Sequence, residues 1–503
     1  MIGERLANEQ AAVQFAVMIK RLSLAALPFF LTAAAAPASH TISEADLRRH
    51  IDVLASDAFE GRQPGTAGGE RTEAYLISTF ADAGLKPGAS DGLWRQVVPM
   101  VERSPKSATI RWTASGKVID LPADQIVLLG RSAHARVTNA PVLFAGYGTA
   151  EELADLDLQG CALLLLQGGH PSGRAALTAS ELAARGAVAI ITIAAATAEW
   201  PAAGKAWLER GEFTTAANNA DGLISAAAAS RLFDAAGMNL DQVRTGAATG
   251  NRAAPLPLRA DMDVRTKVRP FETANVVGKI EGSGKAEEAI ILLSHWDHLG
   301  ICAPEGAADR ICNGAVDNAS GTAIMIEVAR RLSAGPRPAR TIYFLATTAE
   351  EMGLVGAHAF AAAPPVPVAS IVAALNLDTT AIGPAGLPVA IIGRGEHPAI
   401  DKVVDDSARA LGRKIDLDTE ANVMIRRQDG WAFAARGIPT IMATGSVSDM
   451  KLLMNYLGTV YHKPDDDAAH ATQLDGAVED ANLHVAITRG LADPASYPSP
   501  IAP

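Results

Sequence analysis

The sequence predicts an α/β protein with a mostly parallel central sheet flanked by helices and a second, smaller α/β unit inserted into it. Three observations predict this. From about 271 to 490, near-continuous apolar runs alternate with amphipathic stretches such as GTAIMIEVARRLSA (321–334); the runs are AIILLS (289–294), TIYFLATTA (341–349), SIVAALNLD (370–378) and LPVAIIGRG (387–395). Uninterrupted apolar strands imply a sheet covered on both faces. A separate alternation starts near Ala135, and imidazoles and carboxylates stand at the ends of the apolar runs, where open α/β sheets place their sites.

Taken in order, the N-terminus reads as a targeting segment, residues 1–38. Lys20 and Arg21 precede the apolar run Leu22–Ala36, and Ala36–Pro37–Ala38 forms a small-residue cleavage site. Pro28 interrupts the run, which is short for a spanning helix; a retained anchor helix is the alternative. Acids within the first seventeen residues spoil the pattern, and Met18 makes a better start. No cysteine stands near the cleavage site, which excludes a lipoprotein anchor. The expected product is therefore periplasmic or secreted, with no membrane attachment after cleavage.

Residues 39–134 form the first part of the main domain. TISEADLRRHIDVLASDAFEGR reads as a helix ending in a glycine turn. A second helix follows, with Leu76, Phe80 and Ala83 on one face and Gly84 with Pro87 at its end. QVVPMVERSPKSATIRWTA has strand character. The insert spans 135–265: strands APVLFAGYG, CALLLLQGG and VAIITIAA, a helix at ASELAARGA, and a loose Ala-, Gly- and Asn-rich segment over roughly 211–255. Residues 266–492 complete the main domain, and 493–503 form a Pro-rich tail expected to fray.

With 503 residues the chain exceeds one ordinary core. Its 44 Lys+Arg against 55 Asp+Glu, with no basic cluster, exclude nucleic acid as a partner. Of the three cysteines, Cys302 and Cys312 flank a short loop and could pair in an exported protein or remain free, whereas Cys161 reads as a small core residue.

The chemistry lies in SHWDHLG, NGAVDNASG, TTAEEMG, LNLDTT and YHKPDD. They supply His295, Asp317, Glu351, Asp378 and His462, two imidazoles and three carboxylates. That mixture suits two divalent ions sharing a carboxylate, zinc foremost. Glu350, an acid without a ligand role beside a ligand, suits proton transfer in a hydrolysis. Each residue alone has an ordinary reading: a hydrogen-bonded surface histidine, a solvated helix start for Glu350–Glu351, an N-cap for Asp317. Five in order, three of them at strand ends, point to a site.

These segments, with LASDAFEGRQPGTAGGERTEAYL and FAARGIP, resemble the di-zinc exopeptidases of the aminopeptidase Y, bacterial leucyl aminopeptidase and glutamate carboxypeptidase type, peptidase clan MH. The region around FAGYG and LDLQGCALLLLQGG resembles the protease-associated domain some of them carry. The resemblance implies the zinc-exopeptidase fold and two zinc ions. His295 and Asp378 would hold one ion, Glu351 and His462 the other, with Asp317 bridging. Asp297 would orient His295, Glu350 would be the general base, and Asp317–Asn318 could be a cis peptide. The expected activity is removal of N-terminal residues from peptides. A carboxypeptidase or dipeptidase of the same family is the alternative, kept open by Arg426 and Arg427 near Asp429. A glutaminyl cyclase and a non-catalytic receptor-like protein are the remaining ones.

Overall fold

The computed structural model describes residues 41–500, apart from 175, 210–218, 251–252 and 470–472. The signal-peptide reading of 1–38 and the alternative start at Met18 lie outside the described residues. Among the described residues, no helix is long and apolar enough to cross a membrane.

The polypeptide enters through the helix Glu44–Leu54, whose N-terminus is closed by a reciprocal capping box between Ser43 and Asp46. The helix Ala67–Asp82 follows, capped by Thr66, and buries Leu76 and Phe80 completely, with Ala83 covered just beyond it. At the centre of the sheet, the strand Lys285–His295 lies parallel between Arg340–Thr347 and Ile371–Asn376. Outward from Ile371–Asn376 come Thr440–Thr444, parallel, and then Ala390–Ile392, antiparallel. On the other side Ala254–Ile280 pairs antiparallel with Arg340–Thr347.

Alternation along the central strand fills two cores. Ile290 and Leu292 face the helices Glu44–Leu54, Gly321–Ser333 and Asp475–Ala492, while Ile291 and Leu293 face Phe360 and Phe433. All four are fully buried, each worth roughly 1.5–3 kcal/mol of transfer free energy. Burial on both faces is why these strands carry no polar alternation.

The strand Ala254–Ile280 runs 27 residues. Its partner Arg95–Ala114 pairs with it antiparallel from Arg95 opposite Val276 to Ala114 opposite Leu258. Past that ribbon the sheet continues through His134–Phe144, Ala162–Leu166, Ala189–Ile193 and Ala220–Ile224, parallel to one another, to an antiparallel edge strand Ile126–Gly130. This layer has its own core, with Val142, Phe144, Leu164 and Ile191 against Leu232 and Phe233.

Two segments differ from the sequence-based expectation. Within 211–255, the described residues form the strand Ala220–Ile224 and the helices Ala226–Ala235 and Leu240–Ala248, not a loose connection. Alanine masked the pattern: Ala228, Ala229, Leu232 and Phe233 make a fully apolar face, and Ser225 and Asn239 cap the two helices through their side chains. The tail is also docked through residue 497. Tyr497 is buried, its hydroxyl donates to the Val372 carbonyl (3.0 Å), and its own carbonyl accepts from Arg340 Nη1 (2.7 Å). One buried aromatic and a buried arginine outweigh the entropy of a short Pro-rich end.

Candidate metal centre

Each site residue sits at a carboxyl end of the central strands or in a loop beside it. His295 is the last residue of its strand, Glu350 and Glu351 follow Arg340–Thr347, and Asp378 follows Ile371–Asn376. Parallel pairing of His295 with Thr347 and of Leu293 with Asn376 brings these ends to one level. Asp317 lies in the turn Ala315–Ser320 before the helix Gly321–Ser333, with a cis peptide to Asn318. The backbone is left-handed at Ala349 (φ 54°), Thr379 (φ 50°) and His462 (φ 61°). Such conformations cost of order 1–3 kcal/mol each and collect at functional sites.

The side chains converge. His295 Nε2 lies 3.2 Å from Asp317 Oδ1 and 3.5 Å from Asp378 Oδ1. His462 Nε2 lies 3.4 Å from Asp317 Oδ2 and 2.9 Å from Glu351 Oε2. Asp317 therefore presents one oxygen to each histidine. Donor atoms of His295, Glu350 and Asp378 fall within 4.8 Å of one another, as do those of His298, Asp317 and Glu351. Asp297 is buried beneath, but its carboxylate mainly anchors backbone: it accepts from Glu350 N (3.1 Å) and Glu351 N (3.4 Å). His295 Nδ1 faces the Asp297 carbonyl at 3.2 Å, while the carboxylate stands 3.9 Å away. The imidazole thus meets both the backbone carbonyl and, at longer range, the carboxylate of Asp297. Two peptide N–H groups at the start of the Glu350 turn compete for those oxygens and hold them.

Four further residues lie in or beside the segments already singled out but had no role assigned from sequence, because the partners that define those roles are distant along the chain. His298 Nδ1 donates to Glu351 Oε1 at 2.7 Å. Asp466 accepts from Val316 N (2.8 Å), Asp317 N (3.1 Å) and the Tyr456 hydroxyl (2.9 Å), fixing the loop that carries Asp317. Arg62, fully buried, donates to the carbonyls of Trp296, Leu54, Asn313 and Gly314 at 2.5–2.9 Å. Asp429, also fully buried, accepts from the Thr347 hydroxyl. The Cys302–Cys312 disulfide is formed, with Cα atoms 5.7 Å apart, and closes the small hairpin in which Gly300 pairs with Cys312.

Electrostatically the cluster lacks positive charge. Burial opposes charging His295, yet Glu350, Asp317 and Asp378 outweigh it and hold the ring well above the usual imidazole range. Burial likewise opposes a charged His462, but Asp317 and Glu351 push it up to about 10. Burial, with Glu351, Asp429 and Asp378 nearby, drives Glu350 well above the usual carboxylate range against the pull of His295. Burial raises Asp297 to about 6 and Asp429 to about 7. Asp317 goes the other way: contacts with His295 and His462 overcome burial and hold it well below its ordinary value. His462 Nε2, though close to two carboxylates, makes no hydrogen bond of good geometry. Imidazole nitrogens and carboxylate oxygens aimed at shared points, without hydrogen bonds between them, fit divalent cations.

Above the cluster a cavity is floored by His295, Asp317, Glu350 and Asp378. Its wall is apolar, with Ile392, Met424, Met442, Val447, Leu453 and Leu457, and Arg427 also lines it.

The fold and the cluster together make a candidate divalent-cation site on an α/β sheet. Residues 275–486 match the model of peptidase family M28. A glutamate carboxypeptidase 2 homolog of Caenorhabditis elegans is 29% identical over 211 residues, which is 40% of this chain and 25% of that protein. A probable zinc metalloprotease of Leptosphaeria maculans is 40% identical over 88 residues, 18% of this chain and 20% of that protein. The chain thus spans a quarter or less of the length of these relatives. Among solved structures, the aminopeptidase from Aneurinibacillus sp. strain AM-1 superposes with a TM-score of 0.52 at 18% identity, covering 88% of this chain and 92% of that one. That likeness is one of fold.

Proposed function

We propose that this protein is an exported aminopeptidase that uses two zinc ions to remove N-terminal residues from peptides. The observation that carries the reading is Asp317, whose two oxygens face two different histidines at 3.2 and 3.4 Å. One zinc would be held by His295 and Asp378, the other by Glu351 and His462, with Asp317 shared between them. When bound, the two ions supply Lewis acidity that makes water acidic near neutral pH and polarises a carbonyl. Glu350 has a donor atom within 4.8 Å of those of His295 and Asp378, and its raised proton affinity suits a general base beside the metals. It takes the proton of the attacking water and hands it to the leaving amine. The apolar wall from Ile392 to Leu457 favours an aliphatic or aromatic side chain on the residue released.

The names of the relatives support a zinc peptidase, and the layer carrying His134–Phe144 to Ala220–Ile224 reads as a protease-associated domain. Export rests on the Lys20–Ala38 pattern. Arg427 favours a second reading. It lines the cavity, is exposed, and makes no ion pair among the described residues, so it could hold a substrate carboxylate as a carboxypeptidase or dipeptidase requires.

One set of measurements decides between them. Aminoacyl-anilides should be cleaved and N-blocked peptides spared, with activity lost on chelation; the reverse preference establishes the carboxypeptidase reading. Glu350→Gln should keep two zinc ions while kcat falls about 10²–10⁴-fold, the range for a lost general base. Glu351→Gln should lose one zinc and recover partly in excess zinc. Loss of metal from Glu350→Gln with retention in Glu351→Gln would reverse the roles.

A further inference from the structure

We infer that His298 is a positioning residue for the second metal: it holds Glu351 Oε1 so that Glu351 can offer only Oε2 as a ligand. This rests on the metal-centre reading above and extends it to a residue outside the ligand set.

The two oxygens of Glu351 have different partners. Oε1 is 2.7 Å from His298 Nδ1, and Oε2 is 2.9 Å from His462 Nε2. A carboxylate that spends one oxygen on a strong hydrogen bond has one left for a cation, whereas a free one can chelate through both. His298 Nδ1 also stands 3.9 Å from Asp317 Oδ2, but the 2.7 Å bond to Glu351 Oε1 commits this nitrogen as a protonated donor, which leaves it no lone pair for a cation. Donation to an ionised carboxylate requires the proton on Nδ1. The remaining ring nitrogen, Nε2, is buried without a hydrogen-bond partner among the described residues. Among the described residues, the Glu351 bond is thus the ring's one hydrogen bond.

The ring is seated for this task. It is buried to 1% exposure and packs edge-on to His462, with centroids 5.5 Å apart. Gly314 makes the room: a Cβ there would come within 2.6 Å of His298 Cγ and Cδ2. The same glycine carbonyl accepts from Arg62 Nη2 at 2.9 Å, so the wall behind the imidazole is itself fixed. A one-oxygen Glu351 leaves the second metal with a coordination position open for the substrate. Partners that orient ligands in this way commonly account for about 10–100-fold in metal affinity.

The test uses His298→Leu, which removes the donor, and His298→Asn, whose amide nitrogen can stand near the place of Nδ1. Affinity for each of the two zinc ions is measured by chelator competition on the full protein, with circular dichroism to establish folding and zinc-edge X-ray absorption to read the ligands. His298→Leu should weaken the second zinc about 10–100-fold, leave the first unchanged, and give a Glu351 bound through both oxygens. His298→Asn should stay close to wild type. If His298→Leu fails to fold, the asparagine variant still decides: near-native affinity for the second zinc supports the inference, and a loss overturns it. Native affinity in a folded His298→Leu overturns it as well, as does a drop in zinc–nitrogen ligands in either variant, which would make His298 a ligand. A wild-type protein that binds fewer than two zinc ions would instead refute the metal-centre reading.

Discussion

Arg62→Lys keeps the charge and removes the geometry, so it isolates what the buried guanidinium holds together. Arg62 donates through Nε to Trp296 O (2.8 Å), through Nη1 to Leu54 O (2.8 Å) and Asn313 O (2.5 Å), and through Nη2 to Gly314 O (2.9 Å). Those carbonyls belong to three separate segments, arranged around a planar fork. Among the described residues, no carboxylate bonds to it directly. Burial pulls the guanidinium down to about 10, and Asp466, Asp317, Asp297 and Glu351 pull the other way. A lysine ammonium is a single point on a thinner stem and leaves at least two of the four carbonyls without a donor. Each buried orphan costs about 1–3 kcal/mol, so the variant should lose roughly 2–6 kcal/mol. Urea unfolding of the metal-free protein, followed by far-UV circular dichroism, measures this as a lower midpoint at unchanged slope. A midpoint within about 0.5 kcal/mol of wild type, the scatter of an ordinary surface substitution, would refute the clamp.

Metal-free protein should lose stability as pH rises from about 4 to 10. Folded Asp297 (about 6), Asp429 (about 7) and His462 (about 10) all hold protons that the unfolded chain releases at lower pH, so the folded state binds more protons throughout that window. Asp317 and Glu351 act oppositely, but only as pH falls below their ordinary values of 3.8 and 4.5. A melting temperature of the chelated protein that climbs between pH 5 and 9 would contradict this. Gly61→Ala should destabilise by about 2–4 kcal/mol, since φ is +64° and the new Cβ would lie 2.4 Å from the Cys312 carbonyl oxygen; thermal melting reads it. Replacing Cys302 and Cys312 by serine should cost about 2–3 kcal/mol for so short a loop, with both thiols of the native protein resisting alkylation until reduced. Exported protein should begin near Ser39 on N-terminal sequencing, and recovery with residues 1–30 intact would sink the signal-peptide reading.

What could be read from sequence followed the range of the interactions. The central strands were legible because burial on both faces writes itself as uninterrupted Ile, Leu and Val, and strand ends then located His295, Glu350, Glu351 and Asp378. The helix Ala226–Ala235 was not, because alanine serves a buried face and a solvent face equally well. Tyr497 was hidden in a tail whose composition reads as loose. Arg62, His298, Asp429 and Asp466 could not be read from local pattern at all: Arg62 meets Gly314 across 252 residues, and His298 meets Glu351 across 53. Asp297 shows the subtler case, where the residue was found and its partner was the Glu350–Glu351 backbone as much as the neighbouring imidazole.

The long antiparallel ribbon of Arg95–Ala114 and Ala254–Ile280 has a consequence for how such a chain can be built and rebuilt. The polypeptide leaves the half that carries His295 on one strand and returns on the strand hydrogen-bonded to it, with Thr113 directly opposite Arg259. Exit and re-entry are therefore only about 5 Å apart, the spacing of neighbouring strands. A tight turn placed there would close the ribbon as a hairpin without moving any strand that ends in the candidate site. The same junction could accept a different passenger of any size, provided its own two ends lie side by side. That appended layer can be exchanged as a cartridge while the strands that end at His295, Glu350 and Asp378 stay as they are.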